Sequence, residues 1–145
     1  LSMGYPDHKS QINILRDRHS ENPLERVMPV VTKDELLDLV QQTRTVEAND
    51  RIFDYITTLA EATRTHPMVE LGVSPRGALA LCRMAKAHAF LAGRDFVVPE
   101  DVAAVFPDVC AHRLILSAKA RMMEEKAETI LSEILRSVDM PVLKA

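Results

Sequence analysis

The residue of this chain best suited to chemistry is Arg76, in the turn Ser74-Pro75-Arg76. Serine is a favoured N-cap and proline a favoured first helical residue, so this turn predicts the start of a helix. A cation there opposes the helix dipole, at a cost of about 0.3–1 kcal/mol, unless an anion is bound. Free amides at the helix end and a guanidinium that donates forked hydrogen bonds together form a candidate phosphate site. The alternative is a surface arginine that extends into water or pairs with a nearby carboxylate.

The segment after this turn predicts the helix that would position Arg76. It is rich in alanine and stops at Gly93, a residue type that commonly follows the last turn of a helix. Phe96-Val97-Val98 predicts a short extended link, and Pro99-Glu100-Asp101 predicts the start of another helix with acidic residues at its positive end. We expect Pro107 to end that helix, because proline lacks the amide that a helix interior requires.

Further helices are predicted on the N-terminal side of Arg76. Asp7, Thr32 and Asn49 are their N-caps, and Thr32 belongs to a capping box in which Glu35 reaches back to the Thr32 amide. Alternating residue types after the second helix predict a short strand. The predicted bounds are 7–19, 32–43 and 50–65 for the helices and 44–47 for the strand, with a short extended piece at 27–31 and a loop through Gly72.

The region after Pro107 predicts a helical turn that leads into a short extended segment, over residues 107–116. A final amphipathic helix follows and stops at Met140-Pro141, because the residue before a proline resists the helical conformation. The sequence therefore predicts a mainly α fold, a small helical bundle with a few short extended segments and no large sheet. The last helix has Ile130, Leu131, Ile134 and Leu135 on its apolar face, and Glu124, Glu125, Lys126, Glu128 and Glu133 in solvent.

Composition limits the possible functions. With 145 residues and 47% hydrophobic content, the chain can form one compact domain, or a small domain with extensions. A formal net charge of -3 offers no basic excess for a nucleic acid. Cys82 and Cys110 lie in apolar helical stretches, as buried thiols of a reducing cytosol do. The histidines show no metal-ligand spacing. No apolar run approaches the roughly 20 residues of a membrane span, so we expect a cytoplasmic protein with no metal site.

Five sequence blocks in order resemble the lid of MoxR-type AAA ATPases. Residues 71–81, LGVSPRGALAL, and 92–102, AGRDFVVPEDV, resemble the lid signature of that family. Residues 63–67, TRTHP, resemble the run before the signature, and 111–113, AHR, its downstream partner. Residues 1–6, LSMGYP, resemble the junction after the large nucleotide-binding subdomain. Together the blocks span nearly the whole chain.

This resemblance implies a domain plan and a set of site residues. Residues 1–6 would be the junction, 7–141 the helical lid and 142–145 a tail, and the start at Leu1 predicts a fragment. Arg76 would be the second sensor arginine, a catalytic and nucleotide-binding residue that reaches the terminal phosphate. Tyr5 and Pro6 would border the adenine at the hinge, or form an ordinary turn. Ile14 would contact the base, or pack in the core of the first helix.

The resemblance also implies cofactors and partners. The parent protein would use ATP and magnesium to remodel or mature client proteins, as a ring that is usually a hexamer. The partners would be its own nucleotide-binding subdomain, neighbouring subunits and a protein with a von Willebrand factor A domain, with no nucleic acid and no membrane span. The chain has no Gly-x-x-x-x-Gly-Lys-Ser/Thr loop, so we expect the fragment to lack ATPase activity by itself. A free-standing helical adaptor that binds another protein is the alternative.

Overall fold

A computed structural model describes residues 4–17 and 22–142. The chain divides into two compact units, residues 1–38 and 39–145. Within the described ranges it forms seven α-helices, two 3₁₀ turns and one two-stranded sheet, which confirms the mainly α bundle. The elements are α1 His8–Asp17, α2 Lys33–Thr45, α3 Asp50–Thr65, β1 Val69–Leu71, α4 Pro75–Leu91, α5 Pro99–Cys110, β2 Ile115–Leu116, α6 Ala118–Met122 and α7 Ala127–Ser137, with 3₁₀ turns at Pro23–Arg26 and Ala111–Arg113.

The predicted caps of the first two helices are confirmed. The Asp7 carboxylate accepts a hydrogen bond from the Ser10 amide at 2.7 Å at the start of α1. At the start of α2, the Glu35 amide donates to the Thr32 hydroxyl at 3.2 Å, and the Thr32 amide donates to the Glu35 carboxylate at 2.7 Å. These reciprocal bonds satisfy two amides that helix geometry leaves without partners. The predicted end of the first helix at His19 lies outside the described residues.

The core of the second unit is built from one face each of α3, α4, α5 and α7. Apolar residues recur every three or four positions on these helices, so each helix turns one stripe inward. Ala85 and Ala89 of α4 are fully buried, and their small side chains allow α5 to pack closely against α4. Burial of each large side chain contributes about 1.5–3 kcal/mol. The largest fully buried apolar side chains are Ile52, Leu59, Val73, Leu81, Val102, Phe106, Ile130 and Leu131.

The predicted strand at residues 44–47 is wrong, because α2 continues through Thr45. The hydroxyls of Thr43 and Thr45 donate to the carbonyls of Leu39 and Gln42, each at 2.8 Å, which is how threonine is accommodated in a helix. Only Glu47 forms a bridge, a parallel one to Phe96. The predicted link at Phe96 is therefore extended and pairs with the chain that enters α3.

Pro107 does not end α5, which continues to Cys110. A proline inside a helix costs about 3 kcal/mol or more, because it removes one hydrogen bond and crowds the preceding turn. One turn beyond it, however, Val109 and Cys110 are 6% and 0% exposed. Burial of two such side chains in the core can offset the cost of the proline.

The final helix, predicted from Met122-Met123 to Met140, is shorter in the structure, because α7 spans Ala127–Ser137. Residues 123–126 separate it from the short helix α6. Glu124 adopts a positive φ of 56°, and the Glu125 amide donates to the Ala120 carbonyl at 3.0 Å, so the chain reverses out of the helix there. The apolar face of α7 is as predicted, with Ile130, Leu131 and Ile134 buried.

Strand β1 lies where a loop through Gly72 was predicted, whereas β2 confirms the predicted extended segment that ends at Leu116. The two strands form a small antiparallel sheet. Strand β1 pairs with β2 through Val69 with Leu116 and Leu71 with Ile115. In an antiparallel pair, the residues after one strand and the residues before its partner lie at the same end of the sheet. The sheet thus brings the loop that leads into α4 next to Arg113, which precedes β2.

Candidate phosphate-binding groove

The backbone of Val73, directly before the Ser74 cap, is held by the last turn of α3. The Thr63 hydroxyl accepts a hydrogen bond from the Val73 amide at 2.8 Å and donates to the Ala60 carbonyl at 2.6 Å. The Arg64 Nε donates to the Val73 carbonyl at 2.9 Å. Thr63 and Val73 are both fully buried. Both backbone polar groups of Val73 are therefore fixed by neighbouring α3 residues, an arrangement we call the Val73 clamp.

Two glycines allow this close approach. A Cβ at Gly72 would lie 2.7 Å from the Arg64 nitrogen and from the Thr63 hydroxyl. A Cβ at Gly77 would lie 2.7 Å from Val73 Cγ1 and 3.3 Å from Arg113 Cδ. Contacts this short cannot be relieved easily in a close-packed interior. Glycine at both positions thus lets the clamp, the first turn of α4 and the Arg113 side chain pack together.

The first turn of α4 presents Arg76 to solvent. The Gly77 amide donates to the Ser74 hydroxyl at 3.2 Å and Pro75 is the first helical residue, so the predicted cap is confirmed. Arg76 lines an open groove of about 650 Å³ together with Arg83 and Arg113. The remaining lining residues are Ser74, Gly77, Leu79, Ala80 and Met84.

The electrostatics of this groove favour an anion. Its lining, taken over the described residues, holds three arginines and no carboxylate. Ion pairs formed by His66, His88, Arg94 and Arg121 lie outside this groove. Guanidinium groups donate forked hydrogen bonds and do not deprotonate in proteins. The groove can therefore bind and neutralise a phosphate chain, but its arginines cannot serve as an acid or base.

A second polar network, which the sequence reading missed, fixes the far end of α4. Asp101 is 1% exposed and accepts two hydrogen bonds from Arg94, at 2.6 and 2.7 Å. It also accepts the Val98 amide at 2.8 Å and contacts His88 Nδ1 at 2.7 Å. Burial raises the pKa of Asp101, but the hydrogen bonds from Arg94, Val98 and His88 outweigh burial and hold that pKa below its usual value.

The other predicted site residues lie in the first unit. Tyr5 and Pro6 are exposed, Tyr5 at 101%, and Ile14 is 45% exposed on α1. Their contact with a nucleotide stays a prediction. Within the described ranges there is no cluster of three or more potential metal ligands. No helix in the described ranges has the length and apolar character needed to cross a membrane.

Comparison with known proteins identifies the family. The model of the AAA lid domain family matches residues 61–134, which include α4 and Arg76. Over the whole chain, YeaC of Bacillus subtilis, an uncharacterized protein, is 37% identical, and the chain covers 45% of it. The chaperone MoxR1 of Mycobacterium tuberculosis is 28% identical, and the chain covers 40% of it. The chain thus spans less than half the length of these relatives.

A solved structure agrees with the sequence match. The crystal structure of a candidate ATPase from Cytophaga hutchinsonii has a TM-score of 0.83 and 30% identity to this chain, over 97% of this chain and 45% of that one. Protein MoxR of Methylorubrum extorquens is 44% identical over 71 residues, which cover 49% of this chain and 20% of that protein. The chain belongs to the AAA lid domains of the MoxR-like ATPase family.

Proposed function

We propose that this chain is the lid of an ATP-hydrolysing motor and that Arg76 is its phosphate sensor. The observation that supports this most strongly is the groove at the start of α4, where three arginines line one surface and none of the described lining residues is a carboxylate. An anion is the ligand that such a surface favours, and a phosphate chain matches the forked donors of arginine. The match to AAA lid domains and the similarity to a candidate ATPase support ATP as the source of that phosphate.

In this proposal Arg76 acts through charge. As water attacks the terminal phosphate, negative charge spreads over the phosphoryl oxygens, and a fixed guanidinium stabilises it. The nucleotide and magnesium, when bound, supply the reacting phosphate and its counterion. The Val73 clamp holds the first turn of α4 against α3, so that a force on Arg76 moves the second unit as one body.

The proposal extends to the parent protein and its partners. The lid would close over its own nucleotide-binding subdomain within a ring, usually a hexamer, and nucleotide turnover would drive remodelling or maturation of client proteins. Two observations support this. The chain covers under half of its longer relatives, and one of these relatives is a chaperone by name. A protein with a von Willebrand factor A domain is the partner we expect, in the cytoplasm.

An apolar groove favours the helical adaptor as a second function. A concavity of about 530 Å³ between α3 and α4 is lined by Phe53 and Leu79, which are 46% and 61% exposed. Contiguous exposed apolar patches commonly mark contact surfaces. An adaptor would bind a partner here whether or not nucleotide is present.

Steady-state ATP turnover by the full-length protein that contains this chain tests the proposal. Arg76→Ala is compared with the natural protein and with Arg136→Ala, which removes an exposed arginine on α7 outside the groove. We expect Arg76→Ala to lower turnover tenfold or more and Arg136→Ala to change it by less than twofold, with circular dichroism unchanged in both. Equal turnover of Arg76→Ala and the natural protein would refute the sensor role. The absence of turnover in all three would favour the adaptor.

A further inference from the structure

Arg113 is a groove residue that the 3₁₀ turn and the sheet place beside α4. It ends the 3₁₀ turn Ala111–Arg113 and lies two residues before β2. Because β1 and β2 are antiparallel, the approach to β2 and the exit from β1 share one end of the sheet. The exit from β1 leads through Val73 directly into the first turn of α4. The sheet therefore places Arg113 beside that turn, although it is 37 positions from Arg76 in the sequence.

Two contacts hold the Arg113 side chain there. Its Cδ would lie 3.3 Å from a Cβ built on Gly77, so the aliphatic stem of Arg113 lies against the first turn of α4. Its Nη1 lies 2.8 Å from Nε2 of His112. Since arginine only donates, His112 Nε2 accepts this hydrogen bond. The opposite edge of the guanidinium keeps its donors available to a ligand.

We propose that Arg113 is a second phosphate-binding residue of this groove, so that Arg76 and Arg113 bind the polyphosphate chain of one nucleotide from two separate elements. The inference rests on the proposed function of Arg76 and adds a specific residue to it. Arg83 lines the same groove but lies seven residues further along α4, roughly 10 Å from Arg76 at 1.5 Å per residue. Because of Gly77 and the sheet, Arg113 lies at the start of α4, whereas Arg83 lies about two turns further along the helix.

Charge and packing roles of Arg113 can be separated by three substitutions. Arg113→Ala removes both the charge and the stem that lies against Gly77. Arg113→Met keeps an unbranched apolar stem and removes the charge, whereas Arg113→Lys keeps a charge without the fork. Arg136→Ala is again the matched control outside the groove. The assay is ATP turnover against ATP concentration in the full-length protein, with subunit assembly followed by light scattering.

We expect Arg113→Ala and Arg113→Met to lower kcat/KM for ATP tenfold or more, mainly through KM, with assembly unchanged. Arg113→Lys should recover part of the loss, and Arg136→Ala should stay within twofold of the natural protein. A normal kcat/KM in Arg113→Met would overturn the inference, because the role would then be packing. Loss of assembly in step with turnover would also overturn it, in favour of a subunit contact. If Arg76→Ala loses ATP turnover and Arg113→Met does not, the sensor role of Arg76 is retained and the role of Arg113 is refuted. If ATP turnover is normal in both variants, both proposals fail.

Discussion

Replacement of Thr63 by valine tests whether the Val73 clamp positions the start of α4. Valine has nearly the shape of threonine, so Thr63→Val leaves no cavity and replaces the hydroxyl with a methyl group, which can neither accept nor donate a hydrogen bond. The Val73 amide, which donates to that hydroxyl at 2.8 Å, is then left in a buried site without its acceptor. A buried polar group without a partner costs about 1–3 kcal/mol. We therefore expect Thr63→Val to lower the free energy of unfolding by about 2 kcal/mol.

Thr63→Ser is the matched control, because it keeps the hydroxyl and deletes a methyl group worth about 0.8 kcal/mol. Urea unfolding of the 145-residue chain measures the loss of stability in each variant. Amide hydrogen exchange at Val73 reports the hydrogen bond itself. We expect protection of this amide to fall in Thr63→Val, beyond the global loss, and to persist in Thr63→Ser. Unchanged protection of Val73 in Thr63→Val would show that the clamp does not hold the loop.

Two further predictions follow from buried ionisable groups. The pKa of Asp101 is lower in the folded chain than the unfolded value of about 3.9, so its contribution to stability is complete above that value and is lost as pH falls through the folded pKa. Urea midpoints between pH 6 and 3 should therefore fall less steeply for Asp101→Asn than for the natural chain, and parallel curves would contradict this. Burial raises the pKa of Cys110 to about 12, so a disulfide reagent at pH 8 should modify half-buried Cys82 in the native chain and Cys110 only with unfolding. Modification of Cys82 and Cys110 at the same rate in native buffer would contradict the predicted protection of Cys110.

Local rules predicted the start of α4 because the necessary information lies within a few residues. Ser74, Pro75 and Arg76 are adjacent, and a cap and a first-turn proline need no tertiary contact to act. The same holds for Asn49 at the start of α3. For Arg76, spacing alone left a solvated surface arginine open, and only the order of the family blocks favoured a sensor.

The rest of the site depends on contacts between distant residues. Arg113 reaches the groove through strands of two or three residues, which are too short for an alternating pattern to be recognised. Asp101 was read as an acid at a positive helix end, whereas its burial depends on Arg94 and His88. One signal was available: Thr63 continues the apolar face of α3, and a polar residue at a core position needs a partner.

Both ends of α4 are held by hydrogen bonds to buried polar groups. This arrangement determines how a movement of Arg76 on phosphate binding is transmitted to the rest of the second unit. At the N-terminal end the Val73 clamp joins the helix to α3, and at the C-terminal end Asp101 joins His88 to the start of α5. A helix held at one end could tilt when its first turn is pulled, and the displacement would be lost locally. A helix held at both ends transmits the pull to α3 and α5, because packed interiors deform little. Phosphate contact at an exposed arginine would then move the second unit as a whole.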